Sequence, residues 1–157
     1  MHIHILAVGQ RMPQWISEGY NYYVKRLSNK FISLRLIEVP AARRTKNSNV
    51  TKWHQEESER LLAAIPINSV VIACDICGIA WSTEKVASCM QEWMNEGKSI
   101  AIFIGGPDGL APACLNRANY QWSLSPLTLP HGLVRIVLAE QIYRVSTLLS
   151  GHPYHRG

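Results

Sequence analysis

The sequence predicts one α/β domain, residues 1–157, with a mostly parallel sheet flanked by helices. Short apolar runs of strand length alternate with segments of helical periodicity along the whole chain, the pattern of repeated strand–helix units. Capping residues and glycines fall at the ends of the helical segments, where backbone groups lack partners. At 157 residues with 47% hydrophobic content, the chain buries a sizeable core without disulfide or metal staples.

Residues 2–8 read as the first strand. The apolar stretch has no basic region before it and stops at Gly9, which is unlike a signal peptide. Pro13 opens a helix, since a first-turn proline forfeits no needed hydrogen bond. Ile16, Tyr20, Tyr23, Val24 and Leu27 share one face of it. Residues 32–39 alternate and end at Pro40, a second strand. A basic loop containing Arg43-Arg44-Thr45-Lys46 follows. Ser48 or Asn49 caps a helix running to about Ala64, with Glu56, Glu59 and Arg60 on its polar face.

Residues 69–74 are an apolar run too short for a helix, hence a buried strand ending at Cys74. Ser82 or Thr83 caps the third helix, and Glu84 in its first turn complements the helix dipole. Val86, Met90 and Trp93 form its inner face, and Gly97 suits the position just past its end. Residues 99–104 are another buried strand. A short helix starts near Pro112, a strand-like piece covers 119–124, and a long helix covers 132–149. That last helix is apolar nearly all round, so it is buried on more than one side. In a chain this small, a second copy is a natural cover for the extra face.

Several function classes drop out. No apolar run reaches the ~18 residues of a membrane span. The four cysteines, Cys74, Cys77, Cys89 and Cys114, read as reduced cytosolic thiols. The Cys74–Cys77 spacing suits zinc or redox use, but no second ligand pair follows, and the pair sits at a strand end instead of a helix start. Structural thiols and no metal are expected. The net charge of +5 favours an anionic partner such as nucleic acid.

In parallel sheets, ligands bind beyond the carboxyl ends of the strands. Here that means the turns after Cys74, Ile104 and Leu124. Ile104-Gly105-Gly106-Pro107-Asp108-Gly109 follows a buried strand directly, and its glycines let a ligand approach the backbone. The pattern is neither the dinucleotide fingerprint nor a P-loop, which weakens phosphate-centred readings such as an oxidoreductase or hydrolase. Residues 123–131 have prolines at both ends and apolar residues between, a poor helix and a poor central strand. Such a loop can line a pocket with its side chains while its backbone reads a base edge.

Together, residues 3–9, Ile104-Gly105-Gly106-Pro107-Asp108-Gly109-Leu110, residues 123–131, Val134-Arg135, Ala139-Glu140, Tyr143-Arg144 and His152-Pro153-Tyr154-His155-Arg156 resemble the RlmH family. These are ribosomal large-subunit RNA pseudouridine N3-methyltransferases, minimal members of the SPOUT superfamily. The resemblance spans essentially the whole chain. It implies a C-terminal trefoil knot, a homodimer, S-adenosyl-L-methionine as cofactor, and the assembled ribosome as substrate in the cytoplasm. The implied cofactor residues are Cys74, Gly105, Gly106, Leu124, Ser125, Pro126, Leu127, Thr128 and Leu129. Cys74 stands where the family usually carries leucine, and a small hydrophobe serves an apolar or backbone contact.

N3 of a pseudouridine carries a proton, so transfer needs a base, or a cation to stabilise the anion. The candidates are His131, Arg135, Arg144, Tyr154 and His155. Arg43, Arg44, Lys46 and Arg156 are the expected RNA contacts. The alternative is a non-catalytic RNA-binding α/β module that keeps the basic loop without a cofactor.

Overall fold

The computed structural model describes residues 1–27, 31–47 and 49–156. Five strands form one parallel sheet in the order β2-β1-β4-β3-β5: β1 His2–Val8, β2 Ser33–Val39, β3 Ser69–Ala80, β4 Ser99–Ile104 and β5 Tyr120–Ser123. The helices between and after them are α1 Gln14–Val24, α2 Val50–Ala63, α3 Thr83–Asn95, α4 Pro112–Arg117 and α5 His131–Ser150.

Two cores sandwich the sheet, and strand periodicity divides the residues between them. Ile3, Ile5 and Ala7 of β1 face one core with Ile100, Ile102 and Ile104 of β4, under Tyr20 of α1, Met90 and Trp93 of α3, and Leu138 and Ile142 of α5. Leu6 and Val8 face the other with Ala101 and Phe103, under Leu61 of α2 and Cys114 of α4. The connections running toward β2 thus use one face and those running toward β5 the other. A single hand of crossover requires this arrangement.

The capping expectations resolve into single residues. The Asn49 side chain accepts the Lys52 N–H at 2.9 Å, and the Ser82 hydroxyl accepts the Lys85 N–H at 3.1 Å; the alternative cap, Ser48, lies outside the described residues. Gly97 follows α3 with φ of +67°, the left-handed conformation that ends a helix. Pro13 sits one place earlier than expected, as the residue before the first helical one.

One expectation needs correction. The third strand does not stop at Cys74: β3 runs to Ala80 and pairs again with β5 at Ile79 and Ala80 after an irregularity. Ile76 and Ile79 have the β-branched shape that suits a pleated strand. No turn therefore follows Cys74. Near the chain end, residues Pro153–His155 form a 3-10 turn packed on α5.

Candidate functional site

Pairing between β3 and β4 ends at Ala73 and Phe103. Beyond that point the two strands part, and a cleft of about 540 Å³ opens between the continuing β3 and the turn after β4. Its third wall is the segment joining β5 to α5. Of the expected cofactor residues, Cys74, Gly105, Gly106, Leu124, Ser125, Leu127, Thr128 and Leu129 line it. Pro126 belongs to the same loop but is not on the wall. Asp75, Ile76, Leu110, Trp122, Pro130 and Val134 also line the cleft and were not expected. Asp75 and Ile76 lie in the part of β3 beyond Cys74 that the sequence pattern does not show.

The glycine turn is shaped by close backbone approach. A Cβ on Gly105 would lie 2.5 Å from the carbonyl carbon of Gly109 and 2.7 Å from its oxygen. No side chain fits there without moving backbone. The Gly109 N–H donates to the Gly106 carbonyl at 3.0 Å, closing the turn. On the opposite wall, the Leu127 N–H donates to the Ser125 hydroxyl at 3.0 Å, and the Ser123 hydroxyl donates to the Ser125 carbonyl at 3.1 Å. Local side-chain bonds thus replace ladder bonds in a loop that its prolines exclude from a central strand. Leu127 is left 70% exposed at the rim.

Burial, and secondarily Asp75, push the Cys74 thiol up to about 12, so it stays protonated. Such a thiol is a poor nucleophile and a poor metal ligand. No group of metal-ligating residues occurs among the described residues.

The chemistry-bearing residues divide between the two ends of α5. His131 opens the helix on the cleft wall, and its Nδ1 is buried without a hydrogen-bond partner. Burial, and then the neighbouring Arg135, lower its pKa, which keeps the ring neutral. Arg135, expected beside the chemistry, lies elsewhere. It is 1% exposed and donates to Glu38 at 2.6 Å and to the Gly9 carbonyl at 2.8 Å. The helical turn points it under β1 and β2 instead of into the cleft, so it positions the start of α5 and the charge environment of His131.

At the far end, Arg144 donates to Glu140 at 2.8 Å, and its guanidinium lies 5.0 Å from the centre of the Tyr154 ring. Tyr154 packs on Tyr143 with ring centres 4.6 Å apart and donates to Glu140 at 3.4 Å. Burial, then Glu140, raise the Tyr154 pKa. His155 follows in the same turn, with a buried and unpartnered Nδ1. None of Arg144, Tyr154 and His155 lines the cleft of its own chain. At about 1.5 Å per residue, roughly 20 Å of helix separates Arg144 from His131.

The basic loop lies beside the glycine turn. Arg43 and Lys46 are exposed, as is Arg156 near the chain end. Arg44 is already engaged: it donates to Asp108 at 2.5 Å and sits 5.1 Å from the Trp53 ring centre. Glu57, which sequence reasoning missed, is 3% exposed and accepts the Ala42 N–H at 3.1 Å, anchoring the loop from below. A carboxylate at a helix position with inward-facing neighbours is the signal that could have found it.

Residues 1–155 match a family model described as a predicted SPOUT methyltransferase. The chain is 60% identical over 156 residues to the Ribosomal RNA large subunit methyltransferase H of Nitrosococcus oceani, covering 99% of each. It is 49% identical to the protein of the same name from Hahella chejuensis, again over 99% of each. Among solved structures, a methylase family protein from Neisseria gonorrhoeae is similar with a TM-score of 0.51 at 12% identity, covering 90% of this chain and 81% of that one. At that identity the likeness concerns the fold alone.

Proposed function

The chain belongs to the SPOUT methyltransferase family, and from that premise we propose that it methylates N3 of a pseudouridine in large-subunit ribosomal RNA on the assembled ribosome, in the cytoplasm. The cleft at the ends of β3 and β4 carries the reading. Its volume suits a small-molecule ligand, and its walls are apolar side chains over close-set backbone. The glycine cradle that a Cβ would fill fits a cofactor laid against it. Gly105, Gly106 and residues 124–129 would hold S-adenosyl-L-methionine, which supplies an electrophilic methyl group when bound there. Backbone groups of the loop would orient its base, and Leu124, Leu127 and Leu129 would exclude water.

The chain's own residues must then deal with the N3 proton. His131, kept neutral, is able to accept a proton. A cation near N3 would stabilise the anion left behind, and Arg144 is the candidate, with Tyr154 and His155 beside it. These three lie too far along α5 to reach their own cleft. A homodimer, with the tail of one copy laid against the cleft of the other, supplies them. An exposed Trp15 and Tyr22 on α1, next to α5, support an apolar face for the second copy.

The segment after β5 passes the ends of β3 and β4 to reach the end of β1, where a Cβ on Gly9 would lie 3.6 Å from the His131 ring. A trefoil knot is part of the same proposal and rests on the family membership. Arg43, Arg44, Lys46 and Arg156 would meet the RNA backbone, consistent with the net charge of +5.

The experiment is methyl transfer from labelled cofactor to assembled ribosomes, isolated large subunits and naked RNA, followed by mapping of the modified base. Label on N3 of one pseudouridine, strongest with assembled ribosomes, is expected. Label on another base, or cofactor binding without transfer to any of the three, would overturn the reading.

A further inference from the structure

Arg44 has two claims on it. It belongs to the basic loop proposed to meet RNA phosphates, and it is paired with Asp108 of the glycine turn that walls the cofactor cleft. The connection is more than one ion pair. His54 of α2 hydrogen-bonds through Nε2 to the Asp108 carbonyl at 2.9 Å. Glu57, one turn further along, holds the Ala42 N–H, and its Oε2 would lie 3.7 Å from a Cβ on Gly106. The loop and the turn are thus laced together from both sides of Asp108. The side chains of Arg44 and Asp108 are 34% and 32% exposed, so an incoming anion can reach them.

From this geometry, and resting on the RNA reading of the basic loop given above, we propose that Asp108 is a positioning residue that couples RNA binding to cofactor binding. In the free chain, Asp108 occupies Arg44 as an internal stand-in for a phosphate. RNA takes Arg44 over as a charge-assisted partner. Asp108 then loses its side-chain tie to the loop and keeps its carbonyl bond to His54. By linkage, whatever RNA gains from Arg44 is reduced by the strength of that tie, and the cofactor site feels the same change. An exposed ion pair of this kind sets the scale at about two- to fivefold.

The test is a pair of double-mutant cycles with Asp108→Asn and Arg44→Ala on the full chain. Affinity is measured for a short RNA hairpin and for S-adenosyl-L-methionine. Asp108→Asn keeps the side-chain shape; Asp108→Ser serves as a second variant should the amide disturb the turn. With Arg44 present, Asp108→Asn is expected to tighten RNA binding about two- to fivefold. With Arg44→Ala it should do nothing, because no cation remains to be freed. A general effect of removing one negative charge would instead appear equally in both backgrounds. Cofactor affinity should weaken by a similar factor in either single variant and no further in the double variant.

Additivity in either cycle overturns the proposal, as does unaltered cofactor affinity in both single variants. If Arg44→Ala leaves RNA affinity where it was, the RNA reading of the loop falls, and the proposal with it. If Arg44→Ala weakens RNA binding while Asp108→Asn is silent, the proposal alone falls.

Discussion

At its start, α5 delivers His131 to a cleft whose walls all come from one chain: the end of β3, the turn after β4 and the loop after β5. At its other end, the same helix carries Arg144, paired with Glu140, and Tyr143, on which Tyr154 packs with His155 beside it; none of Arg144, Tyr154 and His155 lines that cleft. Both ends are ordered by local contacts. Only the first makes a complete binding site. On the reading proposed above, binding a cofactor and performing the transfer are separable in this chain, and the second draws on residues from another copy.

Removing the remote cluster should produce the largest effect. Arg144→Ala and His155→Ala are expected to lower turnover by about 10²–10⁴-fold while leaving cofactor affinity within about twofold. Single-turnover rates alongside calorimetry check this. Equal losses in turnover and cofactor affinity would join the two ends that the structure holds apart.

Next is Arg135, which does not line the cleft and holds Glu38 and the Gly9 carbonyl. Arg135→Ala leaves the Gly9 carbonyl and Glu38 without their partner and should cost about 3 kcal/mol of stability in denaturant unfolding. A variant as stable as the parent, yet inactive, would return Arg135 to the chemistry. Gly105→Ala should then weaken cofactor binding about ten- to hundredfold, because its methyl meets the Gly109 backbone.

The smallest effect concerns pH. His131 and His4 both have folded values below their usual ~6.5, chiefly through burial. The unfolded chain therefore binds these protons more readily. The stability they contribute is full above about pH 6.5 and is lost as pH falls from there through their lowered values. His131→Gln should make the drop in melting temperature between about pH 7.5 and 5 shallower, and an unchanged drop would mean that His131 is not held neutral by the fold.

Much of this was legible in the residues. Most strands and helices announce themselves by period, and the third helix also by a cap at Ser82 or Thr83 and the glycine after it, of which the structure uses Ser82. The glycine turn and the proline-bounded loop point at the cleft because parallel sheets leave that end open. What stayed hidden depends on partners distant in the chain. The extension of β3 to Ala80 is set by pairing with Trp122 and Ser123, which no local pattern encodes. Arg135 and Arg44 look like two free cations in the sequence; Glu38 and Asp108, 97 and 64 positions away, decide otherwise. The order of the tail comes from a tyrosine stack on α5 that composition only hinted at.

The central claim is that the cleft of one chain works with the tail of another. It is tested most directly by mixing two inactive variants, Gly105→Ala with an intact tail and Arg144→Ala with an intact cleft, after reversible unfolding. If sites are shared between copies, half of the randomly paired dimers are mixed. Each mixed dimer holds one sound site, so the mixture should recover about a quarter of the parent activity. No recovery, in a mixture shown by sedimentation to contain dimers, would contradict the account and confine the reaction to residues of a single chain.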